Sequence, residues 1–489
     1  MRRQILTPPP PDPGRRHFLG ACCAAVGSAG LLSALAQLRM LGAIVQPGSA
    51  SAMTAATAAS DYRALVCLFL AGGNDANNLI VPTGDSDYAA YTAARGALAL
   101  PRSVLLPLNP RTSDGRTWAF HPALAGLHGL FGSGQAAVLA NVGTLLQPTT
   151  KAQYQAKSVP LPPQLFSHSN QQVEWQSSLA DKPFVTGWGG RLADLLQALN
   201  ENNTISMSIS LNGQNSFQVG RAVAQFVVNE TGVTGLTGAS TSTATVAGQR
   251  TRALNELLAS SDTHNLFEAA FAGVTRNAIT DSSLVAGVLG ASTAGDKSAF
   301  PRAYGTFPGS SLGLQLRTIA RLIAARDQFS LRRQVFFARI AGWDLHDNQV
   351  VAGATHAGAH ANLFADLSRS LTAFHGATVE MGVAESVTTF TASDFGRTYN
   401  TNGDGTDHAW GSHHLIVGGA VRGGELYGRM PALELGGPDD IGRGRWIPTT
   451  SVDEYSATLA RWFGVSATDL PIVLPNIGRF ARPDLGFMT

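Results

Sequence analysis

The run Ala64-Leu65-Val66-Cys67-Leu68-Phe69-Leu70-Ala71 constrains the fold more than any other feature. It is continuously apolar, has the length of a strand, and ends in Gly72-Gly73. A strand wetted on one side alternates apolar and polar residues. An unbroken apolar run fits a strand buried on both faces, as in a parallel sheet covered by helices. Similar runs recur at 136–142, 333–340, 386–392 and 415–421. Between them, 122–131, 190–199, 311–325 and 359–374 place apolar residues at helical spacing. Strands alternating with helices predict an α/β fold with a mainly parallel central sheet flanked by helices.

With 44% hydrophobic and 14% charged residues, the 489-residue chain has ample material for a core. It is neither a disordered polyelectrolyte nor a coiled coil. The net charge of +2 drops to −2 without the first 52 residues, which carry five arginines and one aspartate. Nothing in that balance supports nucleic-acid or acidic-membrane binding. Residues 53–489 read as one α/β domain, with a second independent domain as the alternative. Within it, 201–250 is rich in Asn, Ser, Thr and Gly, so roughly 200–310 reads as an inserted cap or lid.

Gly14-Arg15-Arg16-His17-Phe18-Leu19 precedes a weakly apolar run and the small-residue site Ala50-Ser51-Ala52. That order of charge, apolar run and cleavage site marks residues 1–52 as a secretory signal, and the paired arginines resemble the twin-arginine motif. The run contains Gln37 and Arg39, so it makes a poor permanent membrane span. The expected partner is the twin-arginine export machinery, and the expected location is the periplasm or outside the cell. Cleavage after Ala52 would leave Cys67 as the sole cysteine, which excludes an intramolecular disulfide.

Ligands in open α/β sheets bind beyond the carboxyl ends of the strands. Three apolar runs deliver aspartates there: Gly72-Gly73-Asn74-Asp75, Gly342-Trp343-Asp344-Leu345-His346-Asp347, and Ser393-Asp394-Phe395-Gly396-Arg397. A fourth segment, Gly405-Thr406-Asp407-His408-Ala409-Trp410-Gly411, adds a histidine. Carboxylates and imidazoles gathered on one rim are ligands for a divalent metal, and a cation would neutralise their mutual repulsion. Taken singly, each aspartate could merely cap the helix that follows.

Taken together and in order, these features resemble one family. They are the twin-arginine signal, L-F-L-A-G-G-N-D, F-H-P-A-L-A-G-L, the pair Ser167-His168, G-W-D-L-H-D-N-Q, S-D-F-G-R-T and G-T-D-H-A-W-G. The chain is similar to an uncharacterised family of exported bacterial proteins within the alkaline phosphatase–sulfatase superfamily. The resemblance implies an alkaline-phosphatase-like fold and a metal-dependent hydrolase of phosphate or sulfate esters. It implies Asp75, Asp344, His346, Asp394 and His408 as metal ligands. It also implies Ser167, at the head of a helix, as nucleophile, and Arg397 as the group that steadies a substrate anion. The implied cofactor is one or two divalent ions, zinc first, with calcium, magnesium or manganese as alternatives. The implied substrate is a small anionic or glycan-linked ester. Phe395 stands where the superfamily's Asp-His-Gly motif has histidine, which leaves open a catalytically silent module that binds a ligand or an envelope protein. Ser167 lacks the Cys/Ser-X-Pro-Ser-Arg context, so formylglycine is not expected.

Four other features carry weaker alternatives. His356 and His360 would share a face if helical. The stretch 400–405 resembles the opening of a calcium loop, but Gly411 stands where a bidentate glutamate belongs. His413 and His414 could orient His408 or simply enter a strand. Trp188, Trp343 and Trp410 are core residues by default. A redox enzyme with an organic cofactor is disfavoured, because no G-x-G-x-x-G follows the first run.

Overall fold

A computed structural model describes residues 62–200, 205–230, 232–233, 238–240, 242–259, 265–290 and 299–489. Residues 1–52, which the sequence reads as a secretory signal, lie outside them. The architecture is α/β, as the apolar runs predict. The strands of the central sheet are β1 (Arg63–Ala71), β5 (Ala136–Gly143), β6 (Ser208–Ser210), β7 (Phe226–Val227), β8 (Arg333–Ala341), β9 (Val387–Ser393), β10 (Ser412–Gly418), β11 (Leu426–Tyr427) and β12 (Thr450–Ser451). Their order is β11-β5-β10-β9-β1-β8-β6-β7, with β12 also on β5. Only β10 runs against its neighbours; every other pairing is parallel. The three remaining strands, β2 (Ile80–Pro82), β3 (Leu106–Leu108) and β4 (Trp118–Phe120), form a small antiparallel sheet.

Helices flank the central sheet in two groups. Ala125–Gly132, Ser311–Ala324 and Ala359–Glu380 pack among themselves, as do His168–Ser177, Trp188–Leu196, Val452–Phe463 and Leu470–Val473. Burial on both sides explains the unbroken apolar composition: every residue of β1 after Arg63 is buried, and so is every residue of β5 and β9. Each such Leu, Val or Phe contributes ~1.5–3 kcal/mol by leaving water. Cys67 is one of them, buried and free.

One boundary differs from expectation. The run at 415–421 predicts a strand there, but β10 starts at Ser412 and ends at Gly418. Three polar residues enter it because each finds a partner. The His413 Nδ1 accepts from Asn141 N at 3.0 Å, and His414 Nδ1 meets the Thr391 hydroxyl at 3.2 Å. Both rings are buried and far from His408's role: burial holds their pKa values down, to about 4 and about 3. Within roughly 200–310, β6 and β7 extend the sheet edge beside β8, while Val246–Ala259 and Leu266–Gly290 pack on each other. No helix among the described residues is long and apolar enough to cross a membrane.

The register places the functional loops. β1 lies between β9 and β8, with Leu70 opposite Ser393 and Ala71 opposite Ala341. Three adjacent parallel strands therefore end at the same level, and their aspartate-bearing loops leave side by side. Gly72 makes the crossing feasible: its φ is +121°, and a Cβ would lie 2.4 Å from Asp344 N. G72A should therefore lower stability by at least ~2 kcal/mol through strain and backbone clash. Urea denaturation checks this; a change under about 0.5 kcal/mol would refute the tight crossing.

Candidate metal centre

Asp344, His346, Asp394 and His408 converge on the rim, and a residue outside the predicted ligand set joins them. His168 opens the helix His168–Ser177, and Ser167 occupies the preceding cap position. The His168 Nδ1 lies 2.6 Å from Asp394 Oδ2. A carboxylate only accepts, so the Nδ1 carries the proton and the Nε2 presents a lone pair. Gln172 donates to the same Asp394 oxygen at 2.8 Å, and Gly72 N donates to the other at 3.1 Å. Asp394 is fully buried and its oxygens are taken. It orients His168 and does not itself offer a free ligand atom.

The same logic fixes two further imidazoles. His408 Nδ1 donates to the Phe166 carbonyl at 2.7 Å, and His346 Nδ1 faces Asp407 Oδ1 at 3.3 Å. All three Nε2 atoms point at the Asp344 carboxylate: His168 at 3.3 Å, His346 at 3.0 Å and His408 at 3.3 Å. A tetrahedral ion with bonds of about 2.0–2.1 Å spaces its ligands by roughly 3.3 Å. His168, Asp344 and His408 offer ligand atoms within 4.8 Å of one another. The His346 and His408 Nε2 atoms are only 2.9 Å apart, so two lone pairs meet there unless a proton or a cation lies between them. The His168 Nε2 is buried without a hydrogen-bond partner. The donor set therefore fits a divalent cation. Outer oxygens that hold ring N–H groups are the usual companions of metal-binding histidines.

The hydrogen bond that His168 donates to Asp394 raises its pKa, outweighing partial burial, so a cation at Nε2 would compete with a second ring proton. Burial pushes His408 below the ordinary imidazole value, against the pull of its bond to the Phe166 carbonyl. Burial would lift Asp344, but the Arg397 guanidinium lying on it holds the carboxyl below the usual range.

Besides Asp394, which orients and is not placed to ligate, three residues stand otherwise than the resemblance implies. Asp75 is buried in an ion pair with Arg95 and also accepts from Gln349 at 2.6 Å and Asn77 at 3.2 Å. Burial favours its neutral form, yet the Arg95 charge dominates and holds its pKa down. Its oxygens are committed to fold-stabilising partners, and it stands outside the cluster. Arg397 is likewise buried: its N–H groups go to the carbonyls of Gly72, Gly73, Trp343 and Thr406 and to Asp344. It knits the loops together, and its Nη1 also faces His346 Nε2 at 3.5 Å, so its donors are directed into the protein. Ser167 is adjacent to the centre, but its hydroxyl is bonded to Ser169 at 3.2 Å and Asn170 at 3.1 Å.

Phe395 packs its ring against both His168 and His408, at centroid distances of 4.8 and 4.5 Å. The 400–405 segment is a turn that braces the His346 loop: Asn402 donates to the His346 carbonyl at 2.9 Å, and Asn348 N donates to Asp404 at 3.0 Å. His356 precedes the helix, which starts at Ala359, and Gly358 has φ +115°; His356 and His360 therefore share no helical face. His360 is buried against Trp343 and Phe364. Trp188, Trp343 and Trp410 are all buried.

An α/β protein with a histidine–aspartate cluster at the carboxyl rim of its sheet is thus defined. Residues 62–441 match the family described as "Protein of unknown function (DUF1501)", and the chain belongs to that family. Among curated proteins none matches it. Among solved structures it is similar to the PsFucS1 sulfatase from Pseudoalteromonas sp., at 9% identity and a TM-score of 0.35. That match covers 84% of this chain and 69% of the sulfatase.

D394N should weaken zinc binding by ~10–100-fold, because His168 loses the acceptor that fixes its ring. R95M should cost ~3–5 kcal/mol of stability by stranding Asp75, and should leave zinc affinity as it was. Chelator competition and urea denaturation separate the two; equal zinc affinity in D394N and wild type would contradict the assignment.

Proposed function

We propose that the protein is an exported, metal-dependent hydrolase of a small phosphate or sulfate ester. The observation that carries this reading is the cluster of three imidazoles, each with its Nδ1 proton given to an oxygen and its Nε2 turned to Asp344, on an open rim. His168, Asp344 and His408 would hold one ion, with His346 approaching from the Asp407 side. The N/O donor set suits zinc. When bound, a divalent ion here supplies Lewis acidity, withdrawing charge from an ester oxygen and acidifying a hydroxyl or water.

The chain's own groups do the rest. Asp394 and Gln172 hold His168 in one tautomer, so the donor geometry needs no rearrangement when a substrate arrives. Phe395 shields one side of the two imidazoles from water, strengthens the local electrostatics and supports a single ion over two. Asp344, His346 and His168 are each partly exposed, which leaves a face for an anion to approach. With the Ser167 hydroxyl taken up by its neighbours, water is the nucleophile that the geometry favours. Export through the twin-arginine pathway would suit a protein that takes up its ion before crossing the membrane.

The test is turnover of aryl phosphate, phosphodiester and aryl sulfate by protein loaded with zinc. D344N and H408A should each lose at least ~100-fold in kcat/KM, while S167A stays within ~10-fold of wild type. A loss in S167A as large as that in D344N would restore the serine as nucleophile. Full metal loading without turnover of any ester would favour the silent binding module.

A further inference from the structure

Next to the metal centre, at the carboxyl ends of β6 and β8, lies a cavity of about 380 Å³. Small-molecule sites commonly span ~300–1,000 Å³. One wall is a single face of the His168–Ser177 helix, where Ser169, Gln172, Val173 and Gln176 follow one another at helical spacing. The opposite wall is the loop after β6, and the floor is Phe337 and Arg339, two apart on β8 and so on one face of the sheet. Gln172 belongs to both places: it lines the cavity and donates to the Asp394 oxygen that orients His168.

Val173, Phe184, Val219 and Phe337 give the walls apolar surface, and the amide side chains between them have donors and acceptors left over. Gln172 spends its NH2 on Asp394 and keeps its Oε1. Gln176 accepts from Phe217 N at 2.9 Å through its Oε1 and keeps its NH2. Asn215 and Gln225 are bonded to each other at 3.1 Å, which stiffens the loop. The backbone of Arg339 is pinned at both N–H and C=O by Gln315, each at 3.1 Å. Its guanidinium makes no hydrogen bond or ion pair with any described residue, and no carboxylate lines the cavity. A half-buried arginine without a counter-charge attracts an anion, and amides offering both a donor and an acceptor match neighbouring hydroxyl groups.

We propose that this cavity binds the non-reacting part of the substrate, and that the group it takes is polyhydroxylated and carries its own negative charge, paired with Arg339. The role as a substrate subsite rests on the hydrolase reading; the binding itself does not require the ion.

Calorimetric titration of galacturonate and of neutral galactose into the full chain, both metal-free and zinc-loaded, tests this. Galacturonate should bind at least ~10-fold more tightly than galactose in both forms. R339Q should lose that ~10-fold advantage while keeping its affinity for galactose, and Q176A should weaken both sugars. Absence of galacturonate binding to wild type, or equal binding to R339Q, overturns the proposal. Arg339-dependent binding without turnover of any ester would leave this site standing and remove the hydrolase reading. Turnover without galacturonate binding would do the reverse.

Discussion

The hydrogen bond between His168 and Asp394 is the interaction on which the rest of the site depends. It joins the first residue of a helix to the residue that follows β9, across 226 positions of chain. An imidazole free to rotate or to exchange tautomers would present its lone pair in any of several directions. Bonded to a buried carboxylate, it presents one. The same device recurs with different acceptors, a carbonyl for His408 and a surface aspartate for His346, so the geometry is prepared before any ion binds.

That preparation relies on a second buried charge. Arg397 bonds the loops after β1 and β8 and the segment before His408, while sitting on Asp344 itself and facing His346. A guanidinium is always charged at neutral pH, and its planar fork suits several carbonyls at once. Together with the shared level at which β9, β1 and β8 end, it converts three loops into one rigid platform. Gly72 permits the closest approach within that platform. The Asp75–Arg95 pair braces it from behind and contributes to the fold, with no ligand atom to spare.

Much of this was legible in the sequence. Unbroken apolar runs expose buried parallel strands, and the rule that ligands sit beyond strand ends leads directly to Asp344, His346, Asp394 and His408. What the sequence could not separate was ligand from orienter. Asp344 and Asp394 follow strands in the same way, and only the hydrogen bonds show that one faces open space while the other is spent on His168. His168 is hidden behind its neighbour, because a serine at a helix head reads as a nucleophile while the adjacent histidine shows its acceptor, Asp394, only in three dimensions. Arg397 and Arg339 show the same difficulty with cations, since burial and satisfied donors, invisible in one dimension, decide which arginine is free. The 200–310 stretch has too little periodicity to reveal that part of it joins the sheet.

Anomalous diffraction at the zinc absorption edge, from crystals of the zinc-loaded full-length protein, tests the central claim most directly. The account predicts one strong peak about 2.0–2.2 Å from His168 Nε2, His408 Nε2 and an Asp344 oxygen. A peak bound instead by Asp75 or Asp394, or no peak among these three side chains, would contradict it.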